Sequence, residues 1–510
     1  MGTTLSYAQL DASSRQFAAW LQSRGLGKGD RVALMMPNIL QYPVCLFGAL
    51  RAGCTIVNCN PLYTSHELSH QLADSGAQTI VIAENFAHTL QQTLGQCELK
   101  NIIVTSIGDM LGPVKGRLIN VAIKHVKRMV PAWSLPGAVS WRHVLAAGKR
   151  ATYTPVSLNH ADLACLQYTG GTTGVAKAAM LSHGNLVANL CQAHAWIKPY
   201  VKDGEECVVT ALPLYHIFAF TANCLTFLKI GASNLLIINP RDIDGFIKEL
   251  GKTPFNVLIG VNTLFNALLN HPEFAKLDFS RLRLTLGGGM AVQRAVAQRW
   301  AKTTGVALAQ AYGLTETSPA VTINPLTITE FTGSIGLPVP STEIAIRDDD
   351  GRDLPQGENG EICVRGPQVM SGYWNRPDET ELVLGADGFL RTGDVGYVDP
   401  QGYIFLIDRK KDMILVSGFN VYPNEVEDVA ALHPGVSEVA AIGIPDERSG
   451  EAVKLVVIRK DPNLTAEQLI AHCRSQLTSY KVPRHIEFRD SLPRSNVGKI
   501  LRRELRTPQQ

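Results

Sequence analysis

Short apolar runs alternate with helical stretches through the opening part of the chain, and this alternation most constrains the fold. Ser6-Tyr7-Ala8-Gln9 has the form of a capping box, with Leu10, Phe17, Trp20 and Leu21 following at helical spacing and Gly25 as a stop. Apolar runs at Arg31–Met36, Thr55–Asn58 and Thr79–Ala83 are separated by helical stretches at Ile39–Ala52 and Ser65–Asp74. Strands alternating with helices in this way imply a mainly parallel α/β sheet. The pattern returns at Val257–Gly260 and Leu282–Leu286. After about residue 330 come short strands with Gly and Asp turns, such as Asp348-Asp349-Asp350-Gly351 and Asp399-Pro400-Gln401-Gly402, which predict a β-rich subdomain.

The charged run Asp408-Arg409-Lys410-Lys411-Asp412 marks a boundary. Beyond it, helices near Asn424–Leu432 and Thr465–Leu477 and strands at Val439–Gly443 and Ala452–Arg459 predict a small α+β domain. A chain of 510 residues exceeds what a single core holds. The division expected is therefore an α/β N-terminal domain at 1–408, with its β-rich subdomain at about 330–408, a hinge at 409–412 and a C-terminal domain at 413–510.

A net charge of +3 excludes the strongly basic balance of a nucleic-acid binder. The charge is unevenly placed, because 110–161 holds Lys115, Arg117, Lys124, Lys127, Arg128, Arg142, Lys149 and Arg150 and no acidic residue. Within it, Leu118, Ala122, Val126 and Met129 recur at helical spacing beside that basic cluster. Over 114–130 this predicts either a basic amphipathic helix lying on anionic lipid or a surface helix packed on its own domain. The 10 cysteines include no C-x-x-C pair, so neither a zinc site nor a disulfide framework is indicated and a reducing cytoplasm fits. The N-terminus lacks signal-peptide order, and the longest apolar candidate, Tyr42–Val57, is interrupted by Arg51. No membrane-spanning segment is expected.

Chemistry concentrates in Tyr168-Thr169-Gly170-Gly171-Thr172-Thr173-Gly174-Val175-Ala176-Lys177. Glycines allow backbone N–H groups close to an anion, threonine hydroxyls add donors and lysine supplies countercharge, so the loop suits phosphate. It is not a P-loop: Lys177 does not directly follow a Gly, and Ala178 stands where a magnesium-binding hydroxyl belongs. No G-x-G-x-x-G or G-x-S-x-G motif supports a dehydrogenase or an esterase.

This loop resembles the signature of the adenylate-forming superfamily, and further motifs follow in that family's order. Leu212-Pro-Leu-Tyr-His216 resembles the motif whose histidine borders the carboxylate site. Gly287-Gly288-Gly289 resembles the turn against adenine, and Tyr312-Gly313-Leu314-Thr315-Glu316 the nucleotide and magnesium segment. Thr392-Gly-Asp394 is similar to the ribose-binding motif, and Pro493-Arg-Ser-Asn-Val-Gly-Lys499 to the one carrying the catalytic lysine. Asp387–Gly396 continuing to Ile407–Asp412, with Asn60–Thr64, Asn262–Asn266 and Val416–Pro423, resembles bacterial long-chain fatty acid CoA ligases. Ala178 departs from that pattern, which has Gly there. Relatives also carry further residues before the equivalent of Thr4-Leu5-Ser6-Tyr7, so the chain is expected to lack the family's extreme N-terminal segment.

The resemblance implies an enzyme that converts fatty acid and ATP to acyl-AMP and pyrophosphate, then acyl-AMP and CoA to acyl-CoA and AMP. It implies Lys499 at the reacting phosphate, His216 beside the carboxylate, and Asp394 and Arg409 on ribose and phosphate. Mg2+ is implied on Glu316 with Thr169 nearby, Lys411 as the hinge of a rotating C-terminal domain, and Ser417, Gly418 and Phe419 in the CoA passage. His216, Phe218, Phe220 and the stretch 255–263 are candidate walls of an acyl tunnel. The alternatives are a ligase passing the acyl group to a carrier protein, an aryl or short-chain acid ligase, and an inactive lipid-binding homologue. A cytoplasmic protein is expected, attached to the inner face of the membrane if 114–130 binds lipid; a homodimer is compatible with the resemblance.

Overall fold

The computed structural model describes residues 2–169, 176–446, 448–495 and 497–506. The first sheet runs in the order Val139–Ser140, Asn101–Thr105, Thr79–Ala83, Arg31–Met35, Thr55–Asn58, Leu163–Thr169, Lys177–Ser182. All its neighbours are parallel except the last pair, a hairpin that brackets the Gly/Thr loop. Every residue of Thr55–Asn58 and Thr79–Ala83 is buried. Ile56 and Val81 pack with Phe17, Trp20 and Trp141 on one face, while Val57, Ile80 and Ile82 pack with Leu68 and Leu72 on the other. Two apolar faces explain why these strands read as unbroken apolar runs.

The second sheet, in the order Leu337–Pro338, Ala320–Ile323, Leu308–Gly313, Leu284–Gly287, Val257–Gly260, Cys207–Thr210, Ser233–Leu236, shares the larger core with the first. Its five strands from Leu308–Gly313 onward are parallel. An antiparallel sheet of Glu343–Arg347, Gly360–Arg365, Leu390–Val398 and Ile404–Arg409 follows, as the turn-rich texture predicts. The last sheet joins Phe419–Val421, Ile414–Val416, Gly450–Arg459, Val436–Asp446 and His485–Phe488, with helices Pro423–Ala431 and Ala466–Gln476 against it. The α/β fold class is as expected. Ala178, the departure from the family pattern, is fully buried in a strand, where its backbone carbonyl accepts from Trp374 N at 2.9 Å.

The basic segment differs from its expected form. An α-helix spans Pro113–Val121, passes into a π turn at Ala122–Val126 and ends at Arg128, whose φ is +51°. Close approach of Gly108 to Gly116 and a bond from Gly108 N to Asn120 Oδ1 at 2.7 Å seat one face, with Ile123 buried beneath. The π turn breaks the Leu118–Ala122–Val126 repeat, so the exposed stripe is instead Val114, Leu118 and Val121, continued by Val126 and Met129. Among the described residues no helix is long and apolar enough to cross a membrane.

Candidate active site

The carboxyl ends of the parallel strands in both sheets face one cavity of about 1600 Å3, the place where open α/β sheets hold ligands. Asn58, Thr169, Ile259, Leu286 and Gly313 line it from strand ends, and the antiparallel sheet adds Asp394 and Arg409. Lys499 and Arg502 close it from the C-terminal segment.

At one wall, Asp394 is almost fully buried; it accepts from Tyr312 Oη at 2.7 Å and pairs with Arg409 Nε at 3.2 Å. Asp394 and Arg409 are themselves cross-strand partners, so sheet register fixes this pair. The carboxylate raises the Tyr312 phenol, though burial raises it more. Lys499 lies within reach of the same charges. Burial, reinforced by Arg409, lowers its ammonium to about 7 against the opposing pull of Asp394. The turn presenting it is closed by Ser495 N to Lys499 O at 2.7 Å and Lys499 N to Ser495 Oγ at 3.1 Å.

Burial and then Lys499 push His216 down to about 4, so its ring is neutral at neutral pH. Phe218 N donates to His216 Nδ1 at 3.3 Å, which assigns the ring proton to Nε2 and leaves that atom a donor.

At the opposite wall, Tyr373 Oη donates to Glu316 Oε1 at 2.7 Å, and Lys177 pairs with Glu379 while its Nζ sits 5.3 Å from the Tyr373 ring centroid. Glu316 Oε2 has no protein partner among the described residues. Gly313 is required here, because a Cβ would lie 1.9 Å from Pro319 O. Gly288 is equally confined, by Ala311 O and the Phe218 ring, and sits behind the cavity wall that Gly289 lines. Thr315, Tyr168 and Lys177 line the cavity; Tyr168 is anchored by donating to Asp74 Oδ2 at 2.7 Å. Gly170, Gly171, Thr172, Thr173 and Gly174 lie outside the described residues.

Residues 1–374 match the family model of AMP-binding enzymes, and 425–499 match that of the AMP-binding enzyme C-terminal domain. The chain belongs to the AMP-binding enzyme family. It is 59% identical over 507 residues to a long-chain-fatty-acid–CoA ligase of Escherichia coli O6:H1, covering 99% of this chain and 90% of the relative. A ligase of the same description from Haemophilus influenzae is 53% identical over 509 residues, with the same coverage. Among solved structures, an anthranilate CoA ligase in complex with anthranoyl-AMP superposes with a TM-score of 0.86 at 25% identity, covering 98% of this chain and 91% of that one.

This AMP-binding enzyme does not gather every residue the sequence singled out. Ser417, Gly418 and Phe419 lie away from the cavity; Phe419 is 55% exposed and stacks on Tyr480 at 4.7 Å. Phe220 and Phe255 are plain core, whereas Phe218, Ile259, Val261, Asn262 and Thr263 do line the cavity. The cavity lining also takes in apolar Ala193, Ile197, Ala222, Phe227, Leu284 and Ile323, from helix His183–Ile197, the π turn Ala219–Leu225 with the residues after it, and the second sheet. Tyr373, Glu379 and Arg502 went unrecognised from sequence. Only the buried Asp408, inside the charged run, hinted at a partner such as Arg502, which meets it at 3.2 Å.

Proposed function

We propose that this AMP-binding enzyme joins long-chain fatty acids to CoA at the expense of ATP, through an acyl adenylate. The observation that carries the reading is the convergence of Lys499, His216, Asp394 and Arg409 on one cavity whose lining also holds apolar Ala193, Ile197, Ala222 and Phe227. Relatives more than half identical to the chain are long-chain-fatty-acid–CoA ligases, which supports the same chemistry.

In the first step a carboxylate oxygen attacks the α-phosphorus and the bond to pyrophosphate breaks. Lys499 as a cation stabilises the charge gathering on the phosphoryl oxygens, and the His216 Nε2 proton orients the carboxylate. Asp394 accepts from the ribose hydroxyls, with Arg409 at the phosphate. In the second step the CoA thiolate attacks the acyl carbon and AMP leaves, with its phosphate taking the electron pair. The apolar part of that lining takes the alkyl chain and excludes water from it.

Mg2+ fits the donor set: one carboxylate with an uncommitted oxygen, Glu316 Oε2, plus the Thr169 hydroxyl and nucleotide phosphates, is how this ion is commonly held. Bound there, it would neutralise phosphate charge. Ser417, Gly418 and Phe419 enter the CoA passage only after the C-terminal segment turns about Lys411, the hinge of 409–412. On this reading the two arms of the molecule are 1–408 and 413–510.

We further read the segment 114–130 as a contact with the anionic inner face of a membrane. Five exposed apolar side chains sit opposite its anchoring face, flanked by exposed Arg117, Lys124, Lys127 and Arg128. The protein would then work in the cytoplasm, at the lipid surface that supplies its substrate.

The test is pyrophosphate release with ATP, Mg2+ and a panel of fatty acids, with and without CoA. Acyl-CoA detected by mass spectrometry only when CoA is present is the expected result. Acyl-AMP and pyrophosphate with no CoA product would favour transfer to a carrier protein.

A further inference from the structure

The C-terminal segment touches the body of the protein through two kinds of bond. The first kind lies at the pivot: Arg502 meets Asp408 at 3.2 Å and Asp412 at 3.6 Å, on either side of Lys411, and Asn424 N donates to Asp408 Oδ2 at 2.8 Å. Away from the pivot, the described residues contain two direct hydrogen bonds between 413–506 and the body, and both come from one helix, Asn262–Asn270. Thr263 Oγ1 donates to Gly498 O at 3.0 Å, and Asn266 Nδ2 donates to Ser437 O at 3.1 Å.

These two donors share a helix face, three positions apart. Both residues are buried, Thr263 to 5% and Asn266 to 4% exposure, and a buried donor needs a partner. Here the partners are backbone carbonyls of the moving segment. The Asn266 carboxamide is preset for the purpose: Arg299 donates to its Oδ1 at 3.2 Å, and Arg299 is itself held by Leu269 O at 3.2 Å and Asn270 Oδ1 at 2.8 Å, so the amino group faces Ser437. Gly498 completes the fit on the other side. Its φ is +82°, and a Cβ there would stand 2.8 Å from Thr263 Oγ1. The threonine hydroxyl thus grips the carbonyl directly before Lys499. Both bonds are neutral and net weak, which suits a junction that must open in every turnover.

We propose that Thr263 and Asn266 are positioning residues, a latch that holds Lys499 in the cavity for adenylate formation and lets go for thioester formation. The proposal rests on the two-step reading above. Its test uses the full chain with Thr263→Val, Asn266→Ala and the double variant, and follows the half-reactions separately: acyl-AMP formation in a single turnover with Mg-ATP, and acyl-CoA formation from supplied acyl-AMP and CoA. Each single variant is expected to slow the first by about tenfold and the second by clearly less, with Thr263→Ser restoring the first. Equal loss in both half-reactions, or no loss in the first, overturns the latch. Amide hydrogen exchange of the ligand-free chain tests it without turnover: the double variant should exchange faster at 494–501 and 262–270, and an unchanged rate overturns it. A wild-type chain that forms neither product would instead refute the functional reading while the exchange result still decides the latch.

Discussion

Lys499, the lysine that the proposed reading places at the reacting phosphate, has an ammonium lowered to about 7, first by burial and then by Arg409. A cation whose pKa is depressed loses its charge as pH rises through that value. In free enzyme the adenylation kcat/KM should therefore fall as pH rises past about 7. Bound phosphates favour the ammonium, so the corresponding limb in kcat should lie at higher pH; coincident limbs, or a flat profile from pH about 6 to 9, would contradict this. Lys499→Ala should cost adenylation on the order of 10²–10³ in rate, the scale of losing one transition-state donor, measured as pyrophosphate release. His216 behaves oppositely: held at about 4, it stays neutral across that range and adds no limb of its own. Around Glu316 and Lys177 the pairing is decided by folding alone, since Lys177 and Glu379 are 202 positions apart and Tyr373 and Glu316 57 apart.

At the scale of elements, the clearest agreement between sequence and structure is where local signals dominate. The capping box at Ser6 starts a helix at Tyr7, the helix expected from Thr465 begins at Ala466, and the strands Thr55–Asn58, Thr79–Ala83 and Val257–Gly260 end where their apolar runs end. The π turns at Ala122–Val126 and Ala219–Leu225 were not legible, because an i to i+5 bond leaves no mark in a periodic pattern. One of them reshapes the basic segment and swings Val126 outward to 77% exposure. Replacing Arg117, Lys124, Lys127 and Arg128 together by Glu should weaken co-sedimentation with phosphatidylglycerol vesicles on the order of a hundredfold or more, each charge near such a surface being worth about 1 kcal/mol. Uncharged phosphatidylcholine vesicles should pull down little of either form. Unaltered pelleting of the variant on the acidic vesicles would show that this helix does not dock on lipid.

On the scale of the whole molecule, Lys499 lines the cavity while Phe419 lies outside it, 55% exposed; on the proposed reading this arrangement serves adenylation and thioester formation needs another. On that reading the two arrangements interconvert through the backbone at 409–412, since hinges absorb such change in few residues. Lys411 N donates no hydrogen bond among the described residues, so proline there removes none in this arrangement. Its fixed φ should still block the alternative one. Lys411→Pro is expected to retain acyl-AMP formation within a few-fold while abolishing acyl-CoA formation from supplied acyl-AMP; loss of both alike would remove 409–412 as the hinge.

What the sequence by itself determined is the chemistry and the order of the parts. The residue types of the Gly/Thr loop suit phosphate, the resemblance of the other motifs to the adenylate-forming superfamily points to His216, Glu316, Asp394 and Lys499, and apolar periodicity shows where strands and helices lie. Tertiary structure decided which of those residues share a cavity, which remain outside it, and what holds them. Thr263 and Gly498 are 235 positions apart, and no local spacing encodes a bond that only two folded bodies in contact can make. The pKa of Lys499 belongs to the same class, since desolvation and the nearness of Arg409 exist only once the chain has closed around it.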